Sequence, residues 1–288
     1  DARVPVARRR ASTRLALSHT VDAHSAGASE VPLALRPEVI ARVAGWCWSL
    51  TEPQVRAPLP HRELGSVRDA APADAYSPRM AVDLGVWYRA GRERIVALVD
   101  DSVGSVPVPA TPMWDVHDVI AHLAGICEDA VTGNMEGVTT DPWTAAQVER
   151  GRSKTMAELV AQWNEHAPMV EAVLSSPQGA AVARAVLDLH THECDLLGAL
   201  GRPIAVPSDV LEWIDGFVVD DFADEVAAAG LPPVRVVAPT IELFRSRLGR
   251  RTAAETRAYE WSVDPTPYLD HWFVFGVAEA SLGEAVAS

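Results

Sequence analysis

The residues best suited to chemistry in this 288-residue sequence are histidines and aspartates in two stretches with helical spacing. His122 falls between Val119 and Ile126 on the apolar side of its stretch, where an imidazole needs polar partners. Asp188 and His192 are four residues apart, which puts both side chains on one helix face. If the two stretches face each other, they form a three-ligand site that suits Zn²⁺ and leaves a fourth position for water or substrate.

Simpler interpretations of the same residues remain open. His122 could be an ordinary core histidine with hydrogen-bonded nitrogens, and the Asp–His spacing is common on helix surfaces. The protein could also be purely structural, with His122 hydrogen-bonded to Asp188 and no metal. The spacing alone does not decide between these readings and a metal site.

Other reactive groups and cofactor motifs give no competing site. Cys194 is close to His192 in sequence but about 200° away around a helix, so we interpret it as a packing or surface residue. Cys127 is interpreted as structural. The sequence has no nucleophile elbow, P-loop or dinucleotide-binding glycine pattern, so nucleotide cofactors are not expected.

Helices are predicted to position these residues. Their spacing and capping signals predict four main helices and a further one, at about 84–98, 115–130, 155–168, 180–200 and 207–226. Thr155 and Glu158 form a capping box, and Pro168 is expected to kink or end the helix that follows. Asp141–Trp143 is assigned to a turn. The region 80–229 is therefore predicted to be a helical bundle.

The last part of the chain, residues 230–288, has a different pattern. Val234–Val237 and Trp272–Phe275 are predicted as strands, and Ile241–Leu248 as a helix. These elements predict a small α/β domain packed on the bundle.

Composition and charge limit the classes of partner. The net charge is −14, and an acidic surface repels phosphate backbones and anionic lipids, so neither nucleic acid nor a membrane is expected as a partner. No run of eighteen apolar residues predicts a transmembrane helix. Three scattered cysteines do not make a disulfide framework, which favours a reducing, cytoplasmic location.

The first 79 residues differ from the rest of the chain. They carry a net charge of +3 against −17 for residues 80–288, and only 37–50 has the pattern of a short helix. We expect residues 1–79 to be a poorly ordered extension, or upstream sequence outside the natural reading start.

The chain after Met80 resembles the mycothiol-dependent maleylpyruvate isomerase family, one of the DinB-like metal-binding four-helix bundles. The similarity is carried by the stretches 114–123 (WDVHDVIAHL), 188–195 (DLHTHECD) and 198–201 (GALG). Shorter matches follow at 242–245 (ELFR), 249–251 (GRR) and 264–269 (DPTPYL).

The resemblance implies a divalent metal, usually zinc, held by His122, Asp188 and His192, with Asp195 orienting the site from behind. Relatives often have glutamate in place of Asp188, and the shorter side chain could weaken the metal or draw it towards the helix. Many relatives have arginine at the position of Leu197, so a contact to a substrate anion or a structural contact could be missing. A tail that is shorter than usual between Val237 and Ile241 puts a substrate pocket formed by the tail in doubt.

The implied function is that of a metal-dependent isomerase or S-transferase that uses mycothiol or a similar low-molecular-weight thiol and acts on a small electrophile, as a monomer or homodimer. The same three ligands could also activate water in a hydrolase. The alternative from another class is a non-catalytic helical bundle that binds a metal or small molecule, because family membership does not settle activity.

Overall fold

The computed structural model describes residues 82–287, and this part of the chain is mainly helical, as predicted. Eight α-helices occur there: α1 (Leu84–Val96), α2 (Val116–Thr132), α3 (Asp141–Gly151), α4 (Met156–Leu174), α5 (Arg184–Ala199), α6 (Ser208–Ala228), α7 (Thr240–Arg247) and α8 (Ala253–Arg257). Two short strands, β1 (Val236–Val237) and β2 (Glu260–Trp261), and two 3₁₀ turns (Gly179–Val182 and Leu269–His271) complete it. The expectations for residues 1–79, including the short helix at 37–50, lie outside the described residues.

Helix α2 is the centre of the bundle. It packs against α3, α4 and α5, while α1 packs against α4 and α5. Because α2 has neighbours on several sides, most of its residues between Val116 and Ala130 are buried. Large apolar side chains such as Leu123, Leu159 and Trp163 are fully enclosed in this core. Burial of apolar surface between these helices stabilises the bundle and fixes the backbone that carries His122.

The local signals in the sequence begin and end the helices as predicted. The Asp115 carboxylate accepts a hydrogen bond from the Asp118 N–H at 2.9 Å and so caps α2. Thr155 and Glu158 form the predicted capping box at the start of α4. Gly201, with φ of 65°, follows α5 in the left-handed conformation that glycine adopts without strain.

Within the bundle, the predicted turn at Asp141–Trp143 and the predicted end of a helix at Pro168 are wrong. Asp141–Trp143 is the first turn of α3 and not an isolated turn, since Pro142 lacks only an N–H that the first helical turn leaves unpaired anyway. Helix α4 does not end at Pro168 but continues to Leu174. Its buried side chains beyond the proline, Val170 and Val173 among them, pack in the core, and this packing outweighs one lost backbone hydrogen bond.

The small C-terminal part packs through aromatic side chains more than through a sheet. Strand β1 pairs antiparallel with β2, Val236 opposite Trp261, so only the end of the predicted strand at 234–237 forms. The strand predicted at 272–275 is wrong. Trp272 instead packs its ring against Phe222, with centroids 4.7 Å apart, and against Trp261 at 5.5 Å. A short apolar run cannot by itself distinguish a strand from a segment buried by such ring packing.

The helices of the described residues differ from a membrane-spanning helix, which needs about 20 predominantly apolar residues. None of those between residues 82 and 287 is both long and apolar enough to cross a membrane.

Two glycines allow α3 to lie unusually close to α2. A Cβ atom at Gly125 would lie 2.7 Å from the Cβ of Gln147, and one at Gly151 would lie 2.3 Å from the Cβ of Ala121. Both distances are too short for real carbon atoms, so only glycine permits this approach. The close contact brings Gln147 against the face of α2 that carries His122.

We expect Gly151→Ala to lower the free energy of unfolding by about 1–3 kcal/mol, because the added methyl forces α3 away from α2. Gly216→Ala is the matched control: it also lies within a helix, but its Cβ would meet no atom within 4 Å. The control should leave stability unchanged or raise it by up to about 1 kcal/mol. Urea denaturation of both variants measures the difference, and equal midpoints would contradict the close-contact argument.

Candidate metal centre

Helices α2 and α5 bring His122, Asp188 and His192 together. The Nε2 atom of His122 lies 3.8 Å from one carboxylate oxygen of Asp188, and the Nε2 atom of His192 lies 3.7 Å from the other. One potential ligand atom from each residue lies within 4.8 Å of the others. Both histidines are buried, whereas the Asp188 side chain is 30% exposed. The structure therefore places the three residues singled out in the sequence in one cluster.

The orientation of the His122 ring is set from α3. Its Nδ1 atom lies 2.8 Å from the amide oxygen of Gln147, and the Gln147 amide nitrogen donates to Asp129 at 2.8 Å. Arg150 in turn donates to Asp129 at 2.6 Å. Since the amide oxygen can only accept, Nδ1 of His122 carries the proton, and the lone pair of Nε2 points towards Asp188.

The orientation of the His192 ring is set by an ion pair. Its Nδ1 atom lies 3.1 Å from Oδ2 of Asp195, which Arg250 contacts at 2.8 Å; the other Asp195 oxygen accepts from Arg245 at 2.7 Å. Burial alone would raise the pKa of the Asp195 carboxyl, but the Arg250 and Arg245 guanidinium groups hold that pKa well below its usual range. Asp195 is thus a carboxylate at neutral pH and accepts from Nδ1 of His192, so the remaining ring nitrogen of His192, Nε2, faces Asp188.

The cluster fits a metal better than a hydrogen-bonded triad. Distances of 3.7 and 3.8 Å between imidazole nitrogen and carboxylate oxygen are too long for hydrogen bonds. They are close to the separation of about 3.4 Å between two ligands of one tetrahedral zinc ion. Burial lowers the pKa of His122 to about 4 despite the nearby Asp188 carboxylate, so this imidazole is neutral, as a metal ligand must be. The donor set, two imidazoles and one carboxylate, is one that zinc uses.

A cavity of about 400 Å³ opens over the cluster. Both parts of the chain line it: Trp114, Trp143 and Thr144 from the bundle side, and Leu248, Val274 and Phe275 from the C-terminal part. The Trp114 ring lies against both imidazoles, with its centroid 5.1 Å from that of His122 and 6.0 Å from that of His192. This volume is within the range of small-molecule sites.

A second group of possible ligands, Asp115, His117 and Asp118, is partly exposed and engaged elsewhere. Asp115 caps α2, and Nε2 of His117 lies 2.8 Å from the backbone oxygen of Lys154. The group therefore forms part of the start of the helix and does not extend the first cluster.

The two cysteines within the described residues are buried and lie outside the cavity lining. Burial raises the pKa of Cys127 and of Cys194 to about 12, so both remain neutral thiols. Cys127 contacts the Tyr88 hydroxyl at 3.2 Å. Neither cysteine is placed or ionised as a nucleophile, in agreement with the sequence interpretation.

Sequence reasoning missed the residues that orient the two histidines from outside their helices: Gln147, Arg245 and Arg250. Gln147 could not be identified because the helix that carries it, α3, was not predicted. Arg245 and Arg250 lie in stretches that resemble relatives, but nothing in their spacing relates them to Asp195, 50 and 55 residues earlier in the chain.

Comparison with known families matches part of the helical bundle. Residues 92–196 match the family described as mycothiol maleylpyruvate isomerase N-terminal domain. This is the family that the motifs of the sequence resemble. The matched region contains His122, Asp188, His192 and Asp195, as well as Gln147. Comparisons with curated proteins and with solved structures found no match.

We expect Asp195→Asn to lower the free energy of unfolding by about 3 kcal/mol or more at neutral pH, since it leaves two buried guanidinium groups without their shared carboxylate. The pKa of Asp195 is depressed in the folded state, so its stabilisation is complete above its unfolded pKa of about 3.9 and is lost as pH falls through the folded value. The difference from wild type should therefore shrink in strong acid. Glu149→Gln, which breaks an exposed pair with Arg152, is the control and should change stability by less than about 0.5 kcal/mol.

Proposed function

We propose that the cluster of His122, Asp188 and His192 binds one divalent metal ion, zinc in the first instance, and that the protein uses it with a low-molecular-weight thiol of the mycothiol type. The reaction is isomerisation of, or S-transfer to, a small electrophile in the adjoining cavity. One observation carries the proposal. In both buried imidazoles Nδ1 has a hydrogen-bond partner outside the cluster, so both Nε2 atoms face the Asp188 carboxylate.

Several features of the cavity support a thiol that comes from solution. A bound divalent metal lowers the pKa of a thiol that reaches it and so supplies a thiolate at neutral pH. Of the cysteines in residues 82–287, neither lines the cavity, so this part of the chain brings no thiol of its own to the cluster. The 30% exposed Asp188 lines the cavity together with both histidines, and the Trp114 ring lies against the two imidazoles.

Three departures from the family pattern are compatible with the proposed site. Leu197 is absent from the cavity lining and packs in a cluster with buried Cys194 and Ile214, so an arginine lost at this position removes no group from the cavity wall. The C-terminal part contributes Leu248, Val274 and Phe275 to the cavity despite its short connection before α7. Asp188, with its shorter side chain than glutamate, still lies within 3.8 Å of both Nε2 atoms.

The first test is metal content. Protein purified without chelator or affinity metal should contain about one zinc per chain, as a three-ligand protein site holds one ion. His122→Ala and His192→Ala should lose it, and Gln147→Leu should weaken zinc binding by about 10–100-fold because it releases the His122 ring. His117→Ala is the control and should retain zinc. Loss of metal in this control alone would relocate the site to the Asp115–Asp118 group, and metal-free wild type after reconstitution with Zn²⁺ would refute the proposal.

The second test is thiol dependence of turnover. The wild-type protein should isomerise maleylpyruvate, the compound in the family name, or conjugate a related electrophile, only when both metal and mycothiol are present. His192→Ala should abolish this activity. Turnover without thiol would instead favour a hydrolase that activates water. Metal binding without turnover for any thiol and electrophile tried would favour the non-catalytic alternative.

A further inference from the structure

The segment 283–287, here called the bridging segment, crosses back to the end of the bundle. It is tied to Ile204, whose N–H donates to the Ala285 oxygen at 2.7 Å and whose oxygen accepts from the Ala287 N–H at 2.9 Å. The other residues of the segment are exposed, yet the Glu284 side chain is only 4% exposed. An inward carboxylate on an otherwise exposed segment requires buried partners.

The partners of Glu284 are two arginines. Arg245 donates to both of its oxygens, from Nε at 3.1 Å and from Nη2, and Arg251 donates from Nη1 at 2.6 Å. The side chain also lies on Gly198 of α5, where a Cβ atom would come within 3.3 Å of Oε1. Glu284 therefore sits directly against the helix that carries Asp188 and His192.

Arg245 connects Glu284 to the cluster of candidate metal ligands. Its Nη1 atom donates to Asp195, and Asp195 accepts from His192, as described above. Neither the Arg245 side chain nor that of Asp195 has any exposed surface, so water cannot replace either contact. We propose that Glu284 is a positioning residue for His192, acting through Arg245 and Asp195, so that the bridging segment controls metal affinity. This inference rests on the metal centre proposed above.

The balance of charges around Asp195 predicts how loss of the Glu284 charge changes metal binding. Three guanidinium groups (Arg245, Arg250, Arg251) face three carboxylates (Asp195, Glu242, Glu284). Without the charge on Glu284, the positive charge of Arg245 falls on Asp195 alone. The Asp195 oxygens then accept more weakly from His192, and Arg245 loses the contact that fixes its position. The His192 ring should become less firmly held, and metal binding should weaken.

The test compares two isosteric substitutions in the full chain. Glu284→Gln removes the charge and replaces one of the two oxygens that Arg245 and Arg251 contact with an NH₂ group, which cannot accept from them. Glu242→Gln is the matched control, because Glu242 pairs with Arg251 at 2.7 and 2.9 Å and has no contact with Arg245 or Asp195 among its hydrogen bonds. The dissociation constant for Zn²⁺, measured by competition with a chelating dye, should rise about fivefold to tenfold in Glu284→Gln, since the residue lies one contact beyond the direct partners of a ligand. It should change less than about twofold in Glu242→Gln.

A second measurement is independent of bound metal. The ¹⁵N resonances of the His192 ring in metal-free protein report which nitrogen carries the proton, and they should shift in Glu284→Gln but not in Glu242→Gln. Equal effects of the two substitutions on affinity and on these resonances would show a merely structural role and overturn the proposal. If wild type binds no metal, the proposed function fails, while the His192 resonances still decide whether Glu284 acts on the ring.

A third variant covers the case in which Glu284→Gln does not fold. Glu284→Asp keeps the charge and shortens the side chain, so its contact with Arg245 lengthens. It should move the His192 resonances in the same direction by a smaller amount. A folded Glu284→Asp protein with wild-type resonances would also overturn the proposal.

Discussion

The Asp195 carboxylate is the interaction on which the arrangement of the site depends. It lies fully buried on α5, and a lone charge there would be strongly unfavourable. Arg245 and Arg250 make it favourable, and both belong to the C-terminal part. The same ion cluster therefore attaches that part to the bundle and holds the His192 ring, so folding of the C-terminal part and shape of the site are energetically coupled.

Two different kinds of group hold the two histidine rings. His122 is held by the neutral amide of Gln147, which the close approach of α3 to α2 makes possible, and His192 by a charged carboxylate. In each case Nδ1 donates to a group outside the cluster, and Nε2 is the nitrogen that faces Asp188. Rings held in this way would need little reorganisation to bind the proposed metal, which is the usual effect of hydrogen bonds to metal-ligating histidines.

The sequence predicted the parts of this protein that depend on local patterns. Apolar spacing and caps such as Thr155–Glu158 located α1, α2, α4, α5 and α6, and helical spacing singled out Asp188 and His192. The prediction was wrong where packing between distant residues decides the local structure. Helix α4 continues past Pro168 because its far end is buried, and Trp272 packs on Phe222 rather than in a sheet. The contacts from Gln147 and Arg245 to the histidine cluster arise only after the helices pack, so no local spacing could reveal them.

The cavity walls come from two distant parts of the chain, while the histidine cluster comes from the bundle alone. Leu248, Val274 and Phe275 lie on connecting segments that carry none of the three candidate ligands, and Phe275 is 62% exposed. Substitutions there can reshape the opening without moving His122, Asp188 or His192. For the function proposed, selectivity for one compound over another could thus diverge between related chains while the candidate ligands stay the same, because separate stretches of sequence encode the two properties.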